Sequence, residues 1–134
     1  MKLFNFGNKE NKNEVVLPYQ IRTEFIPYHL YSNRKDSATL FIRVKNLQKE
    51  PALTSISFKV PKQLNIGKSG LEKQIDLKLG ELRPDEEKEV KLEIFPTAIT
   101  DAGDYTSMLY VMSHYRSYSY VITSMKKEII IHVV

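Results

Sequence analysis

The stretch KEVKLEIFP, residues 88–96, decides the fold class. Its apolar residues Val90, Leu92 and Ile94 alternate strictly with charged ones. A two-residue period places the apolar side chains on one face of a β-strand and the charges on the other. Pro96 is expected to end the strand, because proline has no N–H to donate to a neighbouring strand. The stretch therefore predicts a strand with one buried face and one solvent face.

The same alternation recurs on both sides of this stretch. No apolar period of 3.6 residues persists for three turns, so no long helix is expected. Turn residues separate the alternating segments at the short, regular spacing that is typical of β-sandwiches. The sequence therefore predicts an all-β sandwich of about seven strands. The six further strands are predicted near residues 19–25, 38–45, 56–60, 74–79, 105–113 and 118–134.

The last of these segments is too long for a single sandwich strand, since most strands have about 5 to 10 residues. We therefore expect a bulge or a short break at residues 124–127. Residues 128–134 are almost continuously apolar, which is typical of a strand that is buried on both faces, or at least against the N-terminal tail. They are predicted to form the terminal core strand.

The domain organisation follows from length and composition. A chain of 134 residues fits one domain with a core of its own. Residues 1–14 are polar behind a short apolar stub and predict a flexible tail, which leaves residues 15–134 as a single sandwich domain. The stub is too short for the core of a signal peptide. Since the chain also has no cysteine, and therefore no disulfide, we expect a cytoplasmic protein.

Two short motifs resemble a known family. Asp101-Ala102-Gly103-Asp104-Tyr105 resembles the Asp-x-Gly-x-Tyr signature of immunoglobulin-like domains. Residues 79–88 are similar to a turn found in fibronectin-like and adhesion-type sandwich modules of bacteria and archaea, with Asp85 in place of the usual glycine. The resemblance implies that Tyr105 opens the sixth strand and that its hydroxyl bonds back to the preceding corner.

The sequence departs from the antibody-type pattern in two respects. Ser107 stands where such domains have their second disulfide cysteine, and the chain has no tryptophan for the core. The resemblance therefore implies a cysteine-free, immunoglobulin-like sandwich with Greek-key connections.

No motif predicts catalysis or a cofactor. No nucleophile lies in a recognisable setting with a base and an orienting group, so the protein is not expected to be an enzyme. The three histidines, His29, His114 and His132, lie far apart in sequence, and no metal site is predicted. His132 is expected to be a hydrogen-bonded structural residue. Phe4 and Phe6 bury too little apolar surface for stable membrane anchoring.

The charge is unevenly distributed along the chain. Residues 1–67 hold eleven Lys/Arg against five Asp/Glu, whereas residues 68–134 hold nine against eleven. A basic half attracts polyanions, so nucleic acid is one alternative partner. Lysines that alternate along strands are, however, typical of a solvated face.

The predicted hairpin at residues 105–122 carries the candidate interaction face. If Tyr105 points inward, every second residue after it does so too, and the residues between point outward. An outer face with two methionines and a tyrosine is more apolar than a solvated sheet face. On the facing strand, Tyr118, Tyr120 and Ile122 share one parity and are expected to extend it by cross-strand pairing. Arg116 is expected at the tip. The predicted face consists of Met108, Tyr110, Met112, His114, Arg116, Tyr118 and Tyr120.

This face predicts a non-enzymatic interaction or assembly module. Tyrosine and methionine are enriched in protein interfaces, so the partner is expected to be a second copy or another protein. Tyrosines also stack on bases and sugars, which leaves nucleic acid and carbohydrate as the alternative ligands. A third interpretation is that the N-terminal tail covers the face.

Overall fold

The structure, a computed structural model, describes residues 17–67 and 72–134, and all of its regular elements are β-strands. Alternating apolar residues generate the long strands, and short polar turns connect them. The nine strands in these segments are β1 (Tyr19–Ile26), β2 (His29–Leu30), β3 (Ala38–Asn46), β4 (Ala52–Lys59), β5 (Leu64–Ile66), β6 (Gln74–Leu82), β7 (Glu87–Pro96), β8 (Gly103–His114) and β9 (Val121–Val133).

The strands form two sheets. One sheet has the order β1-β3-β7-β5 and the other the order β2-β9-β8-β4-β6. All neighbours within them are antiparallel except β2 and β9, which pair in parallel at the C-terminal end of β9. Strands that are neighbours in a sheet are mostly not consecutive in the chain, as in a Greek key.

The core lies between the two sheets and follows the sequence alternation. In β3 buried and half-buried residues alternate without exception from Ala38 to Asn46. Tyr19 crosses the core, and its hydroxyl lies 2.7 Å from Oγ1 of Thr54 on the opposite sheet. Burial raises the pKa of this tyrosine. The largest fully buried side chains include Tyr19, Leu40, Ile42, Ile56, Phe58, Leu64, Leu82, Ile94, Leu109 and Ile131.

The predicted fold class is confirmed. Each of the seven predicted strands corresponds to a long strand of the structure, and the strand that was read from residues 88–96 ends at Pro96. The two additional strands, β2 and β5, have only two and three residues. A period of two cannot be recognised over so short a length.

The prediction for the C-terminal segment was wrong in two details. β9 runs without a break through residues 124–127, and its bulge lies between Val121 and Thr123. The strand is also not buried on both faces, because Ile129 and Ile131 are buried whereas Ile130 is exposed. β9 packs on the core with one face only, so the apolar run overstated its burial.

The corner implied by the family resemblance is present. The Tyr105 hydroxyl donates to the Asp101 carbonyl at 2.8 Å and accepts from the Asp101 N–H at 3.1 Å. In the turn before β7, Asp85 has a φ of 65°, the left-handed conformation that glycine adopts most readily. Both motifs therefore form the local structures that the resemblance implies.

The N-terminal predictions concern residues that the structure does not describe. The tail at residues 1–14, with Phe4 and Phe6, lies outside the described residues. Among residues 17–67 and 72–134 we find no helix long and apolar enough to cross a membrane.

Candidate interaction site

The outer face of β8 has the predicted side-chain orientation. Ser107, Leu109, Val111 and Ser113 are buried, and the residues between them lie on the other face of the sheet. Met108, Tyr110 and Met112 are only half-buried on this outer face. Their cross-strand neighbours are polar or charged on both sides, so the face is a narrow apolar row. These neighbours are Lys59, Ser57 and Ser55 on β4 and Glu128, Lys126 and Ser124 on β9.

His114 ends this row but is not available for contact. It is only 7% exposed, and its Nε2 lies 2.7 Å from Oγ of Ser55. The ring of Tyr118 covers it, with ring centroids 5.1 Å apart in an edge-to-face arrangement. The Nδ1 atom of His114 is buried and has no hydrogen-bond partner within the described part of the chain. His114 is therefore buried beneath the loop of the hairpin.

Tyr118 attaches the loop between β8 and β9 to β6. Its hydroxyl accepts a hydrogen bond of 3.0 Å from the Gly80 N–H. Gly80 lies at a bulge of β6 where Leu79 is the extra residue, and bulges interrupt the ladder of hydrogen bonds. Lys78 Nζ lies 5.1 Å from the centroid of the Tyr118 ring, which is within the range of a cation–π interaction.

The predicted cross-strand extension of the face was wrong. Tyr118 and Tyr120 lie in the loop, because β9 begins only at Val121. The two tyrosines also differ in environment, since Tyr118 is half-buried and Tyr120 is 67% exposed. They therefore do not form one surface with Met108 and Tyr110.

The most exposed apolar side chains of this region lie at the end of the hairpin. Tyr115 is 55%, Val121 54% and Ile122 60% exposed. Val121 and Ile122 are consecutive, yet both side chains face solvent, because two residues of the bulge oppose His114 alone. A bulge can redirect a side chain that a regular strand would point inward. We call Tyr115, Arg116, Tyr120, Val121 and Ile122 the hairpin end.

The hairpin end has a closed hydrogen-bonded conformation. The Tyr115 N–H donates to the Tyr120 carbonyl at 2.9 Å, and the Tyr120 N–H donates to the Ser117 carbonyl at 3.2 Å. Arg116 adopts a φ of 65° and places its guanidinium carbon 5.0 Å from the centroid of the Tyr115 ring. Arg116 thus lies at the tip, as predicted.

Carboxylates surround the hairpin end and the neighbouring face. The Arg83 N–H donates to Glu86, and this hydrogen bond holds the pKa of the Glu86 carboxyl below its usual value. The pKa of Asp76 is lowered as well, by hydrogen bonds from Ser57 and Gln74. Glu50 and Glu81 are exposed beside the hairpin, and their carboxylates have no ion-pair partner among residues 17–67 and 72–134.

The sequence analysis did not include Tyr115 and Val121 in the predicted interaction face. It also did not place Ile122 at the end of the hairpin. Tyr115 was passed over because it shares the parity of the inward residues, but β8 ends one residue earlier. The exposure of the Val121 and Ile122 side chains depends on the bulge. No sequence pattern located that bulge, although the excess length of the segment indicated that one was needed.

The two remaining histidines lie at the opposite end of the sandwich. His132 Nδ1 is 2.7 Å from Asp104 Oδ1, which agrees with the prediction of a hydrogen-bonded histidine. Tyr28 stacks on His132 with centroids 5.1 Å apart. His29 is the parallel-strand partner of His132. In the described segments no three His, Asp or Glu side chains are grouped to hold a metal ion.

The Tyr118 hydroxyl is expected to order the hairpin. Tyr118→Phe leaves the Gly80 N–H without its acceptor, so we expect a loss of about 1 kcal/mol in the free energy of unfolding. Amide hydrogen exchange of residues 115–120 should become faster. Tyr115→Phe is the control, because the Tyr115 side chain is exposed and its hydroxyl makes no hydrogen bond to the described residues. Equal exchange rates in both variants would contradict this role.

Comparisons with known proteins identify the fold but no family. No family model and no curated protein matches the sequence. A fragment of Escherichia coli alpha-2-macroglobulin, from domain MG7 to the C-terminus, matches 87% of this chain with 15% identity and a TM-score of 0.65. Salmonella alpha-2-macroglobulin matches 89% with the same identity and TM-score. The fold is immunoglobulin-like.

The matched region is a small part of both alpha-2-macroglobulin chains but nearly all of a third protein. This chain spans only 16% of the Escherichia coli fragment and 7% of the Salmonella protein. A FixG-related protein from Vibrio parahaemolyticus is matched over 98% of its length and 88% of this chain, with 11% identity and a TM-score of 0.55. At such identities the similarity shows the fold alone.

Proposed function

We propose that this protein is a non-enzymatic protein-interaction module that binds its partner through the hairpin end. The exposure of Tyr115, Tyr120, Val121 and Ile122 at one place carries the proposal. Solvent-exposed aromatic and aliphatic groups next to one another are typical of contact surfaces, whereas single exposed apolar residues are ordinary. Tyrosine and arginine are also the residue types most enriched at the energetic centres of interfaces.

The conformation of the loop supports the same proposal. Tyr118 attaches it to β6, Tyr115 and Tyr120 close it, and Arg116 lies against the Tyr115 ring. A surface that is ordered before binding loses less conformational entropy on association. The half-buried row Met108, Tyr110 and Met112 then lies beside the contact.

A protein partner explains the surroundings better than a polyanion or an anionic membrane. Glu50 and Glu81 lie beside the hairpin end, and they would repel phosphate groups. Such carboxylates are compatible with the polar rim of a protein interface.

The proposal includes a sandwich domain at residues 15–134 behind a tail at 1–14. It also includes a cytoplasmic location, for which the lack of cysteine is the support, and a relationship to bacterial and archaeal adhesion-type modules.

Ile122 offers a direct test with a matched control. Ile122→Ser should weaken binding at least about fivefold, because truncation of a central apolar contact typically costs about 1 kcal/mol or more. Ile99→Ser is the control, since Ile99 is 59% exposed in the loop between β7 and β8 at the other end of the sandwich. Both substitutions should leave the free energy of unfolding within about 0.5 kcal/mol of the parent.

The measurement is sedimentation velocity over a range of concentrations. If the partner is a second copy, Ile122→Ser should shift the oligomer toward monomer and Ile99→Ser should not. For a monomeric parent, proteins captured on the immobilised chain are compared between the two variants. Equal oligomerisation or equal capture by Ile122→Ser and Ile99→Ser would overturn the proposal.

A further inference from the structure

We propose that the hairpin end receives a lysine or arginine side chain of the partner protein in a groove between Ile122 and the carboxylates of Glu50 and Glu81. The inference rests on the proposed function and specifies its partner chemistry. The groove encloses about 460 Å³. It is lined by Glu50, Pro51, Leu53, Glu81, His114, Tyr115, Arg116 and Ile122.

The wall of the groove is apolar and its rim is acidic. Leu53, on β4, pairs with His114 on one side and with Glu81 on the other, so one apolar residue lies between the hairpin and a carboxylate. Pro51 and Ile122 extend the apolar wall. This arrangement suits a side chain that has an apolar stem and a charged head, as lysine and arginine have.

The two carboxylates differ from the other acidic residues of this end. Glu86 pairs with Arg83 at 3.5 Å, and Glu87 pairs with Arg22 at 2.6 Å. Glu50 and Glu81 have no cationic partner within 4.0 Å in the segments that the structure describes. An incoming cation gains attraction from both without breaking an existing ion pair, whereas an anion is repelled by both.

Arg116 lines the groove but is not paired with either of its carboxylates. Its guanidinium lies over the Tyr115 ring and forms no ion pair with Glu50 or Glu81. Tyr115 therefore holds the chain's own cation at the tip, and the acidic rim stays open to a cation from the partner.

A single buried side chain joins the two backbone segments that carry the carboxylates. Asn46 Nδ2 donates to the Glu50 carbonyl at 3.0 Å and to the Leu82 carbonyl, next to Glu81, at 2.9 Å. Asn46 is fully buried. The backbone that carries Glu50 is thus fixed relative to the backbone that carries Glu81 before any partner arrives, which favours binding of a partner between them.

The groove can be tested with n-butylguanidinium, a cation on a four-carbon stem, in NMR titrations of the ¹⁵N-labelled chain. We expect the amides of Leu53, Glu81 and Ile122 to shift most. n-Pentanoate, an anion on a stem of equal length, should not shift them. The double variant Glu50→Gln/Glu81→Gln should bind n-butylguanidinium about tenfold more weakly, because both attractive charges are removed.

The matched control is Glu24→Gln on β1, which removes one exposed carboxylate away from the groove and should bind like the parent. Shifts outside the groove, equal shifts with n-pentanoate, or unchanged binding in the double variant would overturn the inference. If these occur while Ile122→Ser still abolishes association, only the preference for a cation fails. If Ile122→Ser has no effect, the proposed function fails first.

Discussion

Replacing Asn46 by aspartate should lower the free energy of unfolding by about 3 to 5 kcal/mol, the largest effect that we expect from one substitution near the site. Asn46 is fully buried and uses its whole amide. Nδ2 donates to the Glu50 and Leu82 carbonyls, and Oδ1 accepts from the N–H and the side-chain amide of Gln48 at 2.9 and 3.1 Å. Aspartate has the same shape but presents a carboxylate to two carbonyl oxygens in a buried place.

Urea unfolding followed by circular dichroism measures this loss. Asn65→Asp is the matched control, because Asn65 Oδ1 already accepts from the Lys73 ammonium at 2.6 Å and a carboxylate there gains an ion pair. We expect Asn65→Asp to be neutral or slightly stabilising. A loss below about 1 kcal/mol for Asn46→Asp would show that these hydrogen bonds do not hold the two segments together.

Replacing Gly80 by valine should cost about 2 kcal/mol and should also release the hairpin end. Gly80 has a φ of 81°, which a β-branched residue adopts only with strain. A Cβ at this position would meet no atom within 4 Å, so the Cβ itself causes no crowding and we expect a conformational cost. A backbone that leaves this conformation also moves the N–H that donates to Tyr118.

Gly80→Asn separates the cost of a positive φ from the cost of adding a side chain at this position. Asparagine also fits the open space, yet it tolerates a positive φ, so it should cost clearly less than valine. Thermal unfolding gives the stability, and the ¹⁵N–¹H spectrum gives the positions of residues 115–120. Equal destabilisation by valine and asparagine would mean that the backbone conformation at Gly80 is not what the bulge requires.

The long strands could be predicted from the sequence because one period governs them. In β3 and β7 every second residue faces the core, and the apolar pattern of residues 88–96 reproduces this directly. The corner at Tyr105 was also predictable, since a motif of five residues contains both ends of its hydrogen bonds. The simple period was sufficient for the strands, whereas the corner was expected from the resemblance to immunoglobulin-like domains.

The candidate site could be predicted only in part, because it depends on breaks in that period. Arg116 was expected at the tip and lies there, but His114 lies beneath Tyr118. The groove brings together three segments that are distant in sequence, one with Glu50 and Leu53, one with Glu81 and one with Ile122. Their proximity follows from the order of β6, β4, β8 and β9 in one sheet, and the composition of no single strand contains that information.

Because Ile122 is the extra residue of a bulge, the apolar surface at the hairpin end can change while the core beneath it stays the same. The extra residue lies outside the regular pairing of β8 with β9, which resumes between Thr123 and Ser113 and continues to Val133. A sequence that lacks this one residue could keep every later pair of the ladder and every inward side chain. The exposed position of Ile122 is therefore gained or lost by an insertion or deletion of a single codon, while the sandwich stays the same.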